Sequence, residues 1–144
     1  METLIKELNQ YLSDLAVFYR KLQNYHWNIK GEDFFIVHEK LEEYYNKIND
    51  QIDEVAENIL TLNGEPFGTL KDYLENTTIT EAKNEKICSN EIFKNIIKDF
   101  ELLLDRVKHI KEEAEKEKQY GTSSMVDEYI LDYEKALWML NQSL

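Results

Sequence analysis

The stretch FFIVHEKLEEYYNKINDQIDEVAENILTLNG, residues 34–64, carries Phe34, Val37, Leu41, Tyr44, Ile48, Ile52, Val55, Ile59 and Leu62 at spacings of three and four. That period lays them along one stripe of a long helix starting near Asp33. Asn63 and Gly64 end it, because both residue types enter the left-handed conformation that closes helices. Upstream, Leu4, Leu8, Tyr11, Leu15, Phe18, Leu22, Tyr25 and Ile29 repeat the pattern and predict a first helix that stops near Lys30 and Gly31.

Downstream, residues 64–76 hold Gly64, Pro66 and Gly68 and a short helix near residues 70–75, which makes a connection too long for a tight turn. A third helix starts either at the capping-box spacing of Thr78 and Glu81 or near Ser89 and Asn90. Its predicted apolar face is Phe93, Ile97, Phe100, Leu104, Val107 and Ile110, and the mixed-charge run 108–118 reads as its solvated far end. Residues 120–124 read as the last break, with a fourth helix from about Met125 that turns Val126, Tyr129 or Ile130, Tyr133, Leu137 and Leu140 inward. The fold class is therefore all-α: a four-helix bundle with a short extra helix in the long crossover between helices two and three, the ferritin-like layout. No internal repeat or boundary divides residues 1–144, so one domain is expected.

Composition narrows the function. Twenty-nine acidic against seventeen basic residues give a formal charge of −12, which repels phosphate backbones and anionic lipid. The single cysteine, Cys88, excludes an intrachain disulfide and a cysteine-based zinc site. No segment resembles a signal peptide or an apolar membrane span, so a reducing, cytoplasmic setting without membrane contact is expected.

Only three histidines are present, and two keep informative company. His26 lies in Tyr25-His26-Trp27-Asn28 and His38 in the first turns of helix two, while Asp53 and Glu57 stand four apart further along that helix. On an ideal helical wheel with His38 at zero, Glu42 falls at about 40°, Asp53 at about 60° and Glu57 at about 100°. The core positions Val37, Leu41, Ile48, Ile52 and Val55 fall between about −40° and −100°, so the polar stripe borders the core and lines a seam.

Distance then sets the stoichiometry. His38 and Asp53 are separated by roughly 22 Å along the axis, whereas ligands of one metal lie about 2 Å from it. Two copies of helix two packed antiparallel about a two-fold axis bring His38 and Glu42 of one chain opposite Asp53 and Glu57 of the other. His26 joins across the Gly31 turn. Two imidazoles with two or three carboxylates suit iron or another first-row divalent ion better than calcium or closed zinc. The plain alternative is that each of these groups is a solvated surface residue. Trp27, Trp138 and most of the nine tyrosines read as packing, and His109, Cys88 and the methionines as structural or surface residues.

These residues resemble those of the Dps family, the miniferritins known as DNA-binding proteins from starved cells. The resemblance rests on Lys21-Leu22-Gln23-Asn24-Tyr25-His26-Trp27 with Lys30-Gly31, Phe34-Phe35, His38-Glu39-Lys40 and Ile52-Asp53-Glu54-Val55-Ala56-Glu57. Weaker matches are Gly64, Pro66, Thr69, Tyr73-Leu74, Glu134-Lys135 and Trp138-Met139-Leu140. It implies a hollow dodecamer built from two-fold dimers, with ferroxidase sites shared between chains. His26, His38, Asp53 and Glu57 match the family's iron ligands, Glu42 stands where the family usually has aspartate, and Trp27 matches a tryptophan beside the iron. The implied activity is Fe(II) oxidation, preferably by hydrogen peroxide, with ferric mineral stored inside as protection against oxidative stress.

Two departures accompany the match. Many members line three-fold channels with aspartates just before the last helix, and residues 119–124 contain none, though Asp127 and Glu128 follow. DNA-coating members usually carry a Lys/Arg-rich tail, which neither Met1-Glu2-Thr3-Leu4 nor Asn141-Gln142-Ser143-Leu144 provides. No direct DNA binding is therefore expected: metal-free protein in a low-salt gel shift should leave DNA unretarded, and a retarded band refutes this. The competing expectations are a DNA-compacting protein or a purely structural shell of the same fold.

Overall fold

The computed structural model describes residues 1–144. Five helices follow in order: α1 (Glu2–Asn28), α2 (Phe34–Thr61), α3 (Leu70–Asn76), α4 (Ser89–Lys116) and α5 (Tyr120–Gln142). The four long ones form a bundle in which α1 packs on α2 and α4, α4 packs on α5, and α3 lies along α1 within the crossover. Twenty-seven buried residues make one contiguous apolar core, as the three-and-four spacing requires. Aromatic edges lock its centre: Phe18 meets Phe100 at 5.1 Å between ring centroids, and Tyr44 meets the same ring at 5.2 Å.

The turns show why each helix ends. Gly31 sits at φ 146°, a conformation barred to side chains with a Cβ, and it reverses the chain between α1 and α2. Asn63, at φ 63°, closes α2 in the left-handed conformation, while the Gly64 amide returns to the Ile59 carbonyl at 2.9 Å. Thr69 caps α3 by accepting from the Asp72 amide at 3.1 Å.

The structure corrects two expectations, the last break and the inward faces, and decides for Ser89 between the two starts left open for the third long helix. The last break is not residues 120–124: α5 already begins at Tyr120, and the chain turns at residues 117–119 around Lys118, whose φ is 58°. A lysine in a left-handed turn carries no glycine or proline signal, so nothing in its residue type marks the turn. Thr78 and Glu81 cap no helix, because Thr78 is drawn instead to the buried Asp14, and α4 begins at Ser89. The inward faces of α4 and α5 are rotated slightly. Ile92, Ile96, Leu103 and Ala114 are buried while Phe93 and Leu104 are only half-buried, and Ala136 displaces Leu137. On α5, Tyr129 rather than Ile130 points inward.

Several polar groups inside the bundle are paired. Lys21 meets Asp99 at 2.9 Å; burial raises the Asp99 carboxyl above its usual range, and the ammonium opposes that rise. The hydroxyls of Tyr11 and Tyr133 hydrogen-bond to one another, and both reach Gln51 Oε1. Burial pushes both phenols up, and it raises Tyr44 to about 12.

Candidate metal centre

The Gly31 turn lays the end of α1 against the start of α2, and this brings His26 and His38 face to face. Their rings stack with centroids 3.6 Å apart and planes 10° from parallel. His26 Nδ1–H donates to the His38 carbonyl oxygen at 2.6 Å, and His38 Nδ1–H donates to the His26 carbonyl oxygen at 2.7 Å. A carbonyl only accepts, so each Nδ1 bears a proton, and the neutral form of each ring has its lone pair on Nε2. The main chain thus fixes two imidazoles in the tautomer that binds metal through Nε2, as outer-shell partners of metal-ligating histidines do.

Further groups gather at that edge. Phe34 stacks on His38 at 4.8 Å between centroids, and Tyr45 stands edge-on to His26 at 5.3 Å. Glu42 places Oε1 3.6 Å from His26 Nε2, and its side chain is 52% exposed while that of His26 is 7% exposed. Imidazole and carboxylate converge at the protein surface, open to whatever lies beyond. Trp27 points away from the core and is 56% exposed.

Asp53 and Glu57 lie apart from this group, about four and five turns beyond His38 along α2, and both are exposed. Asp53 borders a shallow depression shared with Asn49, Asp50 and Glu54. Within one chain no three of the histidine, cysteine, aspartate and glutamate side chains form a metal-holding group. Two separate groups are present: His26, His38 and Glu42 where the end of α1 meets the start of α2, and Asp53 and Glu57 towards the other end of α2.

The ferritin-like domain family matches residues 5–144. DNA protection during starvation protein 2 of Bacillus anthracis is 38% identical over 141 residues, covering 98% of this chain and 96% of that protein. General stress protein 20U of Bacillus subtilis is 36% identical over 143 residues, covering 99% and 98%. The crystal structure of a Dps protein from Vibrio cholerae, described as a member of a broad superfamily of ferritin-like diiron-carboxylate proteins, superposes with a TM-score of 0.94 at 37% identity, covering 98% of this chain and 88% of that one.

The chain belongs to the Dps family. Its membership makes the ferritin-like bundle a family property and turns attention to what this Dps chain does with its own side chains. Sequence reasoning overlooked Tyr45, whose hydroxyl donates to Glu42 Oε1 at 3.3 Å. The three-residue step from Glu42 to Tyr45 on a helix was the available signal. It also overlooked Glu54, which accepts from the Tyr129 hydroxyl at 2.8 Å and so is tied to the bundle beside Asp53.

No helix is long and apolar enough to cross a membrane. Large apolar side chains are nonetheless bare on the single chain: Phe35 is 82% exposed, Ile36 75%, Leu70 80%, Leu131 67% and Trp138 62%. Apolar exposure marks a contact surface where it forms a contiguous patch.

Proposed function

We propose that this chain is a subunit of an iron-storing Dps shell that oxidises Fe(II), with hydrogen peroxide as oxidant, at sites shared across a two-fold dimer. The observation that carries the reading is the His26–His38 pair, held by reciprocal main-chain hydrogen bonds with both Nε2 atoms free and Glu42 beside them. Two neutral nitrogens and one carboxylate bind a ferrous ion incompletely. Asp53 and Glu57 of a second chain supply the anionic oxygens that favour the ferric product, and the small ligand count leaves positions for peroxide.

The bare apolar side chains support assembly into a larger particle, and the dodecamer is the form proposed for it. Ferric mineral is proposed to collect in its cavity. This consumes both ferrous iron and peroxide, so the same chemistry limits oxidative damage. The cytoplasm is the proposed setting, in keeping with the lone Cys88. Direct DNA binding is not part of the proposal, since a charge of −12 per chain is multiplied in any assembly.

Crystals soaked anaerobically with ferrous salt test the reading. The anomalous map is expected to show a peak within bonding reach of His26 and His38 of one chain and Asp53 and Glu57 of its neighbour. Peaks confined to other positions would falsify the assignment. A structural shell without chemistry predicts normal assembly and no peak at the seam.

A further inference from the structure

Peroxide takes up two electrons when its O–O bond is cleaved to water, and a ferrous ion supplies one. A site that meets peroxide while holding a single ferrous ion must find the second electron elsewhere or release a hydroxyl radical. The structure offers a source. The Tyr45 hydroxyl donates to the Glu42 carboxylate at 3.3 Å, its ring stands edge-on to the His26 imidazole at 5.3 Å, and on its far side it meets the Tyr19 ring at 5.8 Å and 84°. Gln23 Nε2 donates to the Tyr19 hydroxyl at 3.2 Å. A phenol is easiest to oxidise when its proton has an acceptor at hand, and Glu42 is that acceptor. No other tyrosine of this chain combines a carboxylate partner with contact to the histidine pair: Tyr129 donates to Glu54, away from it.

We infer that Tyr45 is a redox partner of the histidine site, giving up an electron and its hydroxyl proton when one ferrous ion meets one peroxide. The inference rests on the iron-oxidising reading proposed above. In the balanced step, one Fe(II), one Tyr45 phenol, one hydrogen peroxide and one proton yield Fe(III), a neutral Tyr45 phenoxyl radical and two waters. The O–O bond breaks and takes one electron from iron and one from the phenol. The phenol proton passes through the Glu42 carboxylate to one of the waters formed.

Freeze-quenched electron paramagnetic resonance on the assembled protein tests this, with one ferrous ion loaded per site and one equivalent of peroxide added. Ferric iron and a tyrosyl radical are expected together in the wild type. The radical should be lost in Tyr45→Phe and kept in Trp27→Phe, and spin-trapped hydroxyl radical should rise in Tyr45→Phe. Fluorotyrosine placed at position 45 alone keeps the hydroxyl and its bond to Glu42, so fluorine splitting of the signal should appear whatever Tyr45→Phe does to iron binding. Ferric iron without a tyrosyl radical, a radical that survives Tyr45→Phe, or a signal lacking the splitting overturns the inference and leaves the iron-oxidising reading intact. Failure to form ferric iron at all overturns both.

Discussion

Two inactive variants should restore one another. His26→Ala/His38→Ala removes both proposed nitrogen ligands, and Asp53→Asn/Glu57→Gln removes the charge of both proposed carboxylate ligands. Each alone is expected to lose at least about 10–100-fold in ferrous oxidation, since even the loss of an outer-shell partner costs that much. A dimer that pairs one chain of each kind holds one site with every lesion and one site with none. Random pairing makes about half the dimers mixed, so co-expression should return roughly a quarter of the wild-type sites. The readout is the rate of peroxide-dependent iron oxidation in the co-expressed protein against the two variants alone. A site built within one chain predicts no recovery, and that result would sink the shared-site proposal. The double histidine variant leaves the carbonyls of residues 26 and 38 without their donors, at about 1–3 kcal/mol each when buried. Assembly of each variant by size-exclusion chromatography therefore accompanies the rates.

The sequence was most legible where one period governs. The apolar stripes of α1 and α2 specify two helices within a residue or two of their ends, because glycine or asparagine stands at each turn. It was least legible where tertiary contacts choose among local options. Thr78 has the spacing of a helix cap, yet the hydrogen-bond demand of a buried carboxylate fifty residues and more away in the chain outweighs a local cap. Lys118 takes a left-handed turn that its residue type disfavours, because the long α4 and α5 packed against each other determine where the chain reverses. The site divides in the same way. Helical spacing places His38, Glu42, Asp53 and Glu57 on α2 and shows that one straight helix cannot join them. The facing carbonyls that set both histidine tautomers depend on the angle at which α1 enters the Gly31 turn, and no spacing rule encodes that angle.

Asp14 is expected to be the largest single contributor to the stability of the crossover. It is fully buried on α1, and its Oδ1 accepts from the Thr78 amide at 2.6 Å, the Thr77 hydroxyl at 2.9 Å and the Thr78 hydroxyl at 3.1 Å. Its Oδ2 faces Arg106 Nε of α4 at 3.6 Å, a charge contact too long for a hydrogen bond, and neither atom has any other partner. One carboxylate therefore ties α1, the crossover and α4 together. Asp14→Ala leaves the guanidinium and three donors without their acceptor, at about 3 kcal/mol, the low end for a broken buried pair because Arg106 is partly exposed. For a chain of this size that corresponds to a fall in Tm of roughly 10 °C, read at equal protein concentration because assembly shifts the midpoint. Asp14→Asn/Arg106→Leu separates the causes. The amide oxygen still accepts from Thr77 and Thr78 while the unpaired cation is gone, so most of the loss should be recovered. If the double variant is as unstable as Asp14→Ala, the cation is not the source of the cost; if Asp14→Ala melts with the wild type, the carboxylate holds nothing. Hydrogen exchange locates the effect: amides of residues 77–88 should exchange faster in Asp14→Ala. The histidine pair is bonded only between α1 and α2 and should keep its protection, so crossover stability and the geometry of the histidine pair are expected to be separable.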